Sequence, residues 1–319
     1  VSTLHKIREL LVRHRWLGPL VALIIVFSAF ASQLPGFVRP INLITMARQT
    51  AVVGIAASGA TLVIIAGGID LSVGSAVALT TVVISLLLKS GMGSWTAIPV
   101  AILATGITGA LNGALIAGLR LWPFIVTLGT MSILRGIAKG LAKEQKVDVD
   151  AQGIDSLVLP SEGLLGLPWA IWIFLATALL IAGVLHFTRF GRHVFAIGSN
   201  ERTAVLAGIR VPLAKVAIYG VAGLLAGLAG TLEFATLTVG DPTDSFGLEL
   251  EVIASCVIGG ASLSGGEGSI AGTIVGALLM TVIQTGCTQL GLANFAQNIV
   301  TGTIIIAAGR LALDKRRRA

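Results

Sequence analysis

Gly67-Gly68-Ile69-Asp70-Leu71-Ser72-Val73-Gly74-Ser75 separates two long apolar segments. Two adjacent glycines weaken a helix at that point. A carboxylate flanked by segments suited to lipid is costly, so a role for Asp70 is the default hypothesis. It can cap a helix starting near Leu71 with help from Ser72, or serve gating, or meet a solute. A second run, Gly259-Gly260-Ala261-Ser262-Leu263-Ser264-Gly265-Gly266-Glu267-Gly268-Ser269, repeats the pattern GG-x-x-LS and also ends in Gly-Ser. True duplication and coincidence in a glycine-rich chain both remain open. Gly67, Gly68, Asp70, Ser72, Gly259, Gly260, Ser264, Gly265 and Gly266 are the expected gating or structural set.

Outward from these runs the chain is apolar. It has 319 residues, 55% of them hydrophobic and 12% charged, with a mean hydropathy of +0.94. A water-soluble domain carries about twice that charged fraction. Apolar stretches fall at about 16–34, 43–66, 71–88, 95–118, 122–141, 168–187, 213–237, 248–263, 269–287 and 293–310, each near the length that crosses a bilayer. The expectation is an all-α polytopic membrane protein with about ten transmembrane helices and one domain over 1–319. Lys6, Arg8, Arg13 and Arg15 precede the first span, which reads as retained rather than cleaved. With the N-terminus inside, 15 of the 22 lysines and arginines fall on inner segments, which places both termini in the cytoplasm. The net charge of +7 sits at span ends without aromatic interleaving, which argues for membrane lipid and against nucleic acid as partner.

The longest inner loop, about 188–212, is basic. Within it Phe195 to Ile209 reads as a short helix that Asn200 or Ser199 can cap and Gly208 can end. It either lies on lipid or docks a cytosolic partner. The outer loop, about 142–167, is polar, with Lys139, Lys143 and Lys146 nearby. Small-residue spacings such as Gly109-x-x-x-Gly113, Gly223-x-x-x-Gly227 and Gly272-x-x-x-Gly276 suit close helix packing in lipid. Glu233, Gln284, Gln289, Asn294, Gln297 and Asn298 are polar residues in the later spans. Gln284, Asn294, Gln297 and Asn298 are candidates for a solute route, with hydrogen bonding between helices as the plainer alternative. Cys256 and Cys287 read as small buried hydrophobes. The chain has no G-x-x-x-x-G-K-[ST], H-E-x-x-H or G-x-S-x-G, so it offers no catalytic set, and no cofactor is expected.

GGIDLSVGS at 67–75, VTLGTMSILRG at 126–136, TRFGRHVFAIGSNERTAVLAGI at 188–209 and VIGGASLSGGEGSIAGT at 257–273 together resemble the ribose-type permease subunits of bacterial ABC importers. The likeness runs from about Asn42 to Arg310. It implies a non-enzymatic, multi-pass subunit in the bacterial inner membrane, serving import of a pentose, hexose or related polyol. It also implies a second permease copy or paralogue sharing the pathway, an extracytoplasmic sugar-binding protein, and a cytosolic ATPase with two cassettes. The pattern E-x-x-A-x-x-x-G at Glu201, Ala204 and Gly208, after Asn200, matches the family's coupling helix and favours ATPase contact over lipid contact. The competing expectation is a secondary transporter or channel that uses Asp70 as an ion site.

Overall fold

The computed structural model describes residues 16–317, with the side chains of Ser161, Asn294 and 307–317 left aside. The basic flank Lys6–Arg15 and Arg318 lie outside the described residues. Twelve α-helices make up most of the described chain: α1 (Leu17–Gln33), α2 (Pro40–Ile65), α3 (Val73–Lys89), α4 (Ser94–Leu119), α5 (Pro123–Leu141), α6 (Trp169–Phe187), α7 (Arg189–Ser199), α8 (Glu201–Leu206), α9 (Val211–Leu237), α10 (Leu248–Ile258), α11 (Ile270–Gln289) and α12 (Asn294–Arg317). Each of the ten apolar stretches holds one helix. The two extra helices, α7 and α8, lie in the 188–212 loop.

Length separates these helices. Six of them, α2, α4, α5, α6, α9 and α11, are long and apolar enough to cross a membrane. Helix α10 has 11 residues, a rise of about 16 Å, short of the ~30 Å hydrocarbon core. The expected segment 248–263 therefore stops early. Gly260 at φ +94° ends it, with Gly260 N donating to Val257 O at 3.0 Å and Ala261 N to Cys256 O at 2.9 Å. This paired-bond cap needs a left-handed residue, which glycine adopts without steric cost.

Helices α4 and α9 form the tightest seam. A Cβ on Gly109 would overlap the Tyr219 carbonyl oxygen and lie 3.0 Å from Gly223 Cα. One on Gly113 would lie 2.6 Å from Val216 Cα. The same holds at Gly276, whose missing side chain makes room for the Ser255 backbone of α10. The glycine spacings thus mark bare-backbone approach, which dispersion between helices rewards in lipid.

Two irregular segments pack, partly buried, against the helices. Residues 66–72 leave the end of α2 and reach Ser72, which accepts at 3.1 Å from Asn112 Nδ2, about 10 Å up from the α4 terminus. From the opposite end, residues 240–248 run down beside α3. Gly240 abuts Ser85, Asp241 N donates to Thr81 Oγ1 at 3.3 Å, and Ser245 and Leu248 reach Gly74. The interval between the expected spans 213–237 and 248–263 is thus a descending strap. Arg135 holds it, with Nη1 donating to Asp244 O at 2.6 Å and Pro242 O at 3.0 Å. Non-helical backbone at such depth is tolerated where protein surrounds it.

At the end of the bundle opposite the first glycine run, Val147–Asp148 (β1) pairs antiparallel with Val239–Gly240 (β2), Val147 opposite Gly240. Lys146 Nζ lies 3.0 Å from Asp241 Oδ2. Lys146 is thus engaged within the chain.

Candidate functional site: a glycine junction beside a short helix

Thr188 opens α7 by accepting from Gly191 N at 3.2 Å. The chain then breaks at Asn200, at φ −160° and ψ 105°. The expected single helix over 195–209 is two helices, because Asn200 both ends α7 and caps α8. Its Oδ1 accepts from Thr203 N at 3.0 Å, satisfying one orphan amide of the new helix. Gly208, at φ +81°, closes α8 as expected. Gly208 N donates to Val205 O at 2.9 Å and Ile209 N to Ala204 O at 3.1 Å.

The two faces of α8 differ. Ala204 is buried against Ile197 and Val211. Val205 is exposed, and Leu206 is 88% exposed at the tip. Glu201 receives Lys215 Nζ at 2.8 Å, which ties the first turn of α8 to α9. The four expected coupling residues therefore form one unit. Asn200 and Gly208 set its ends, Ala204 seats it, and Glu201 braces it.

The glycine runs meet this unit. Gly266 N donates to Ile65 O at 2.8 Å, joining the second run to the end of α2. Gly198, which the sequence reading passed over, sits between them. A Cβ there would overlap Ile65 O and lie 2.6 Å from Gly266 N. One on Gly265 would lie 2.9 Å from Gly67 Cα and 3.0 Å from Gly198 Cα. Gly67, Gly198, Gly265 and Gly266 thus form one backbone junction two residues from the cap of α8. Ser264 lies in the bend that brings Gly265 there, after Gly265 N donates to Ser262 O at 2.8 Å.

The remaining members of the set have different tasks. Asp70 is 5% exposed, and its Oδ1 accepts from Ser72 N at 2.8 Å and Ser72 Oγ at 2.6 Å. It does not cap a helix at Leu71: α3 begins at Val73, and Asp70 folds a turn just ahead of it. Ser269 does cap, accepting from Gly272 N at 3.1 Å. Gly68 leaves room for the Tyr219 hydroxyl, and Gly259 for the Gly272 backbone. The echo between the runs is one of cap chemistry. Gly67 is the left-handed residue after α2, yet Gly260, the second glycine of its pair, takes that place after α10. The two pairs are out of register by one.

The route candidates lie toward the other end. Gln284 Nε2 donates to the Glu251 carboxylate, bridging α11 and α10. Gln297 donates to Leu292 O at 2.9 Å, and Asn298 is exposed. The side chain of Asn294 is outside the described residues. Near them a groove of about 460 Å³ opens between the α1–α2 turn and Gln289, with Arg39, Asn42 and Thr45 on its wall.

Comparison with known proteins bears on this geometry. Residues 42–309 match the family model described as branched-chain amino acid transport system / permease component. The chain belongs to this permease family. It is 37% identical over 304 residues to the ribose import permease protein of Bacillus subtilis (strain 168), covering 95% of this chain and 94% of that one. To the ribose import permease protein of Escherichia coli (strain K12) it is 37% identical, covering 91% of each. To the L-arabinose ABC transporter permease protein of Azospirillum brasilense it is 33% identical, covering 94% of this chain and 88% of the relative. No solved structure matches. The matched region holds both glycine runs, α7, α8 and the seam of α4 with α9. The chain is a transmembrane permease of the sugar ABC-importer type.

Proposed function

We propose that the chain is the pathway-forming subunit of an ATP-driven importer for a pentose, a hexose or a related polyol in the bacterial inner membrane. It crosses ten times, with the lower strap at 243–248 and α10 together making one crossing, and both termini lie in the cytoplasm. Two copies, or this chain and a paralogue, enclose the route. A sugar-binding protein delivers solute on the side of β1 and β2, and a two-cassette ATPase docks on the side of α8. Relatives that import ribose and L-arabinose support the solute class.

The observation that carries the reading is α8, a six-residue helix fixed at both ends and presenting Val205 and Leu206 outward. Asn200, Glu201, Ala204 and Gly208 are its coupling residues. The two glycine runs, with Asp70 and Ser72, form the gate at the same end. Gln284, Asn294, Gln297 and Asn298 contribute to the route. A neutral polyol is matched by amide and hydroxyl lining. Asp70 is engaged by Ser72, which supports a structural role over an ion site.

The test is uptake of radiolabelled D-ribose and L-arabinose into proteoliposomes holding the chain, its ATPase and its binding protein. ATP-dependent accumulation of either sugar is expected. Accumulation by the chain alone, driven by a proton or sodium gradient and abolished in Asp70→Asn, would overturn the reading.

A further inference from the structure

Gly198 occupies an ordinary helical position in the last turn of α7. Alanine would suit that backbone better than glycine does, so local conformation does not explain the residue. Its surroundings do. Ile65 O and Gly266 N, already bonded to each other at 2.8 Å, lie where a Cβ would have to go. Gly67 and Gly265 complete the ring with bare backbone. Ser199 Cα lies 3.1 Å from the position a Cβ on Gly266 would take. The next residue, Asn200, caps α8. The atoms nearest a Cβ at Gly67, Gly198 or Gly265 are all backbone.

We propose that Gly198 is a positioning residue for transport: it joins α8 rigidly to the two glycine runs, so that displacement of α8 moves α2–α3 and α10–α11 together. The inference rests on the reading of α8 as the docking helix and adds to it the route by which force leaves that helix. Close-packed backbone transmits a shift with little slack, whereas a longer side chain would bend. Transmission also requires that the junction be held differently, relative to the rest of the bundle, in the two states of the cycle.

The experiment uses the whole permease–ATPase complex in nanodiscs and needs no knowledge of the solute. Hydrogen–deuterium exchange over residues 66–75 and 240–258 is followed before and after addition of Mg-ATP with orthovanadate. Two variants are compared with the parent. Gly198→Ala removes the close approach. In Ser199→Cys/Gly266→Cys the new Cβ atoms lie 3.5 Å apart, within reach of a disulfide, and the oxidised and reduced forms of one sample are compared. The parent is expected to show a nucleotide-driven change in both segments. Gly198→Ala is expected to lose at least three-quarters of it while the ATPase still co-purifies and hydrolyses ATP within about twofold of the parent rate. The oxidised pair, its junction fastened covalently, is expected to keep the change, and the reduced pair, unfastened and with a side chain wedged in at Gly266, to lose part of it.

A parent without the change, a folded Gly198→Ala that keeps it, or an oxidised pair responding no more than its reduced form overturns the inference. If Gly198→Ala does not fold, the cysteine pair decides alone. Failure of the docking reading looks different: Leu206→Asp would then leave ATPase co-purification unaltered.

Discussion

The Asn112 side chain is 1% exposed, with Nδ2 donating to Ser72 Oγ at 3.1 Å and Oδ1 accepting from Thr130 Oγ1 at 2.6 Å. It thereby links the first glycine run to α4 and α5. Hydrogen bonds between helices in lipid contribute about 0.6 kcal/mol on average and up to about 1.7. Asn112→Leu should therefore lower stability by about 1–2 kcal/mol, read as a fall in the thermal midpoint of the detergent-solubilised protein. An unchanged midpoint would show that the two bonds are dispensable. Little in the sequence singled this residue out, for it is one amide among small apolar neighbours. Asp70 was conspicuous because a charge between apolar runs is expensive. Its turn with Ser72, though, depends on where α3 begins, and helix ends are the least legible part of a sequence.

At the scale of elements, the seam of α4 with α9 depends on the absence of side chains at Gly109 and Gly223. Gly109→Leu inserts four carbons where none fits, and overpacking of this kind costs about 1–3 kcal/mol or more. The expected outcome is a sharp loss of monodisperse protein on gel filtration, with Gly118→Leu, where a Cβ meets nothing within 4 Å, close to the parent. The Lys146–Asp241 staple offers a pH test. Burial alone would raise the Asp241 carboxyl. Hydrogen bonds from the Thr243 hydroxyl and amide, and the Lys146 ammonium, outweigh it and hold the carboxyl below its ordinary value. The hydrogen bond to Asp241, joined by its charge, raises Lys146. A depressed carboxyl stabilises the fold above its unfolded value near pH 4 and loses that contribution as pH falls through the folded value. A raised lysine stabilises below its unfolded value near pH 10.4 and loses that as pH rises further. The thermal midpoint of the parent should thus fall relative to Asp241→Asn at both extremes and exceed it between them. Parallel profiles would remove the staple from the stability account. The glycine spacings made the seam readable from the sequence. The staple was not readable, since Lys146 and Asp241 are remote in the chain and look like solvated loop charges.

At the scale of the whole molecule, one end carries α7, α8 and the glycine junction, and the other carries the β1–β2 ladder and the Lys146–Asp241 pair. This polarity gives an orientation test. Leu206→Cys should react with a membrane-impermeant maleimide in inside-out vesicles and not in intact cells, and bound ATPase should protect it. Labelling in intact cells would invert the proposed topology. The helices themselves were legible because each is an apolar run of nearly spanning length, and α10 was over-extended because its apolar letters continue past Gly260. The descent of 240–248 beside α3 was hidden, as polar letters read as loop whether they face water or are enclosed by protein. The glycine junction was half legible: both runs stood out, but the residue between them, Gly198, carries no distinguishing neighbours. The β1–β2 ladder also bears on how the chain is made. Val147 emerges from the ribosome about ninety residues ahead of Gly240, its strand partner, a delay of roughly 5–20 s at ordinary synthesis rates. Throughout that interval the segment around β1 waits without its mate, so a newborn chain should be most open to proteolysis there until α9 has been inserted.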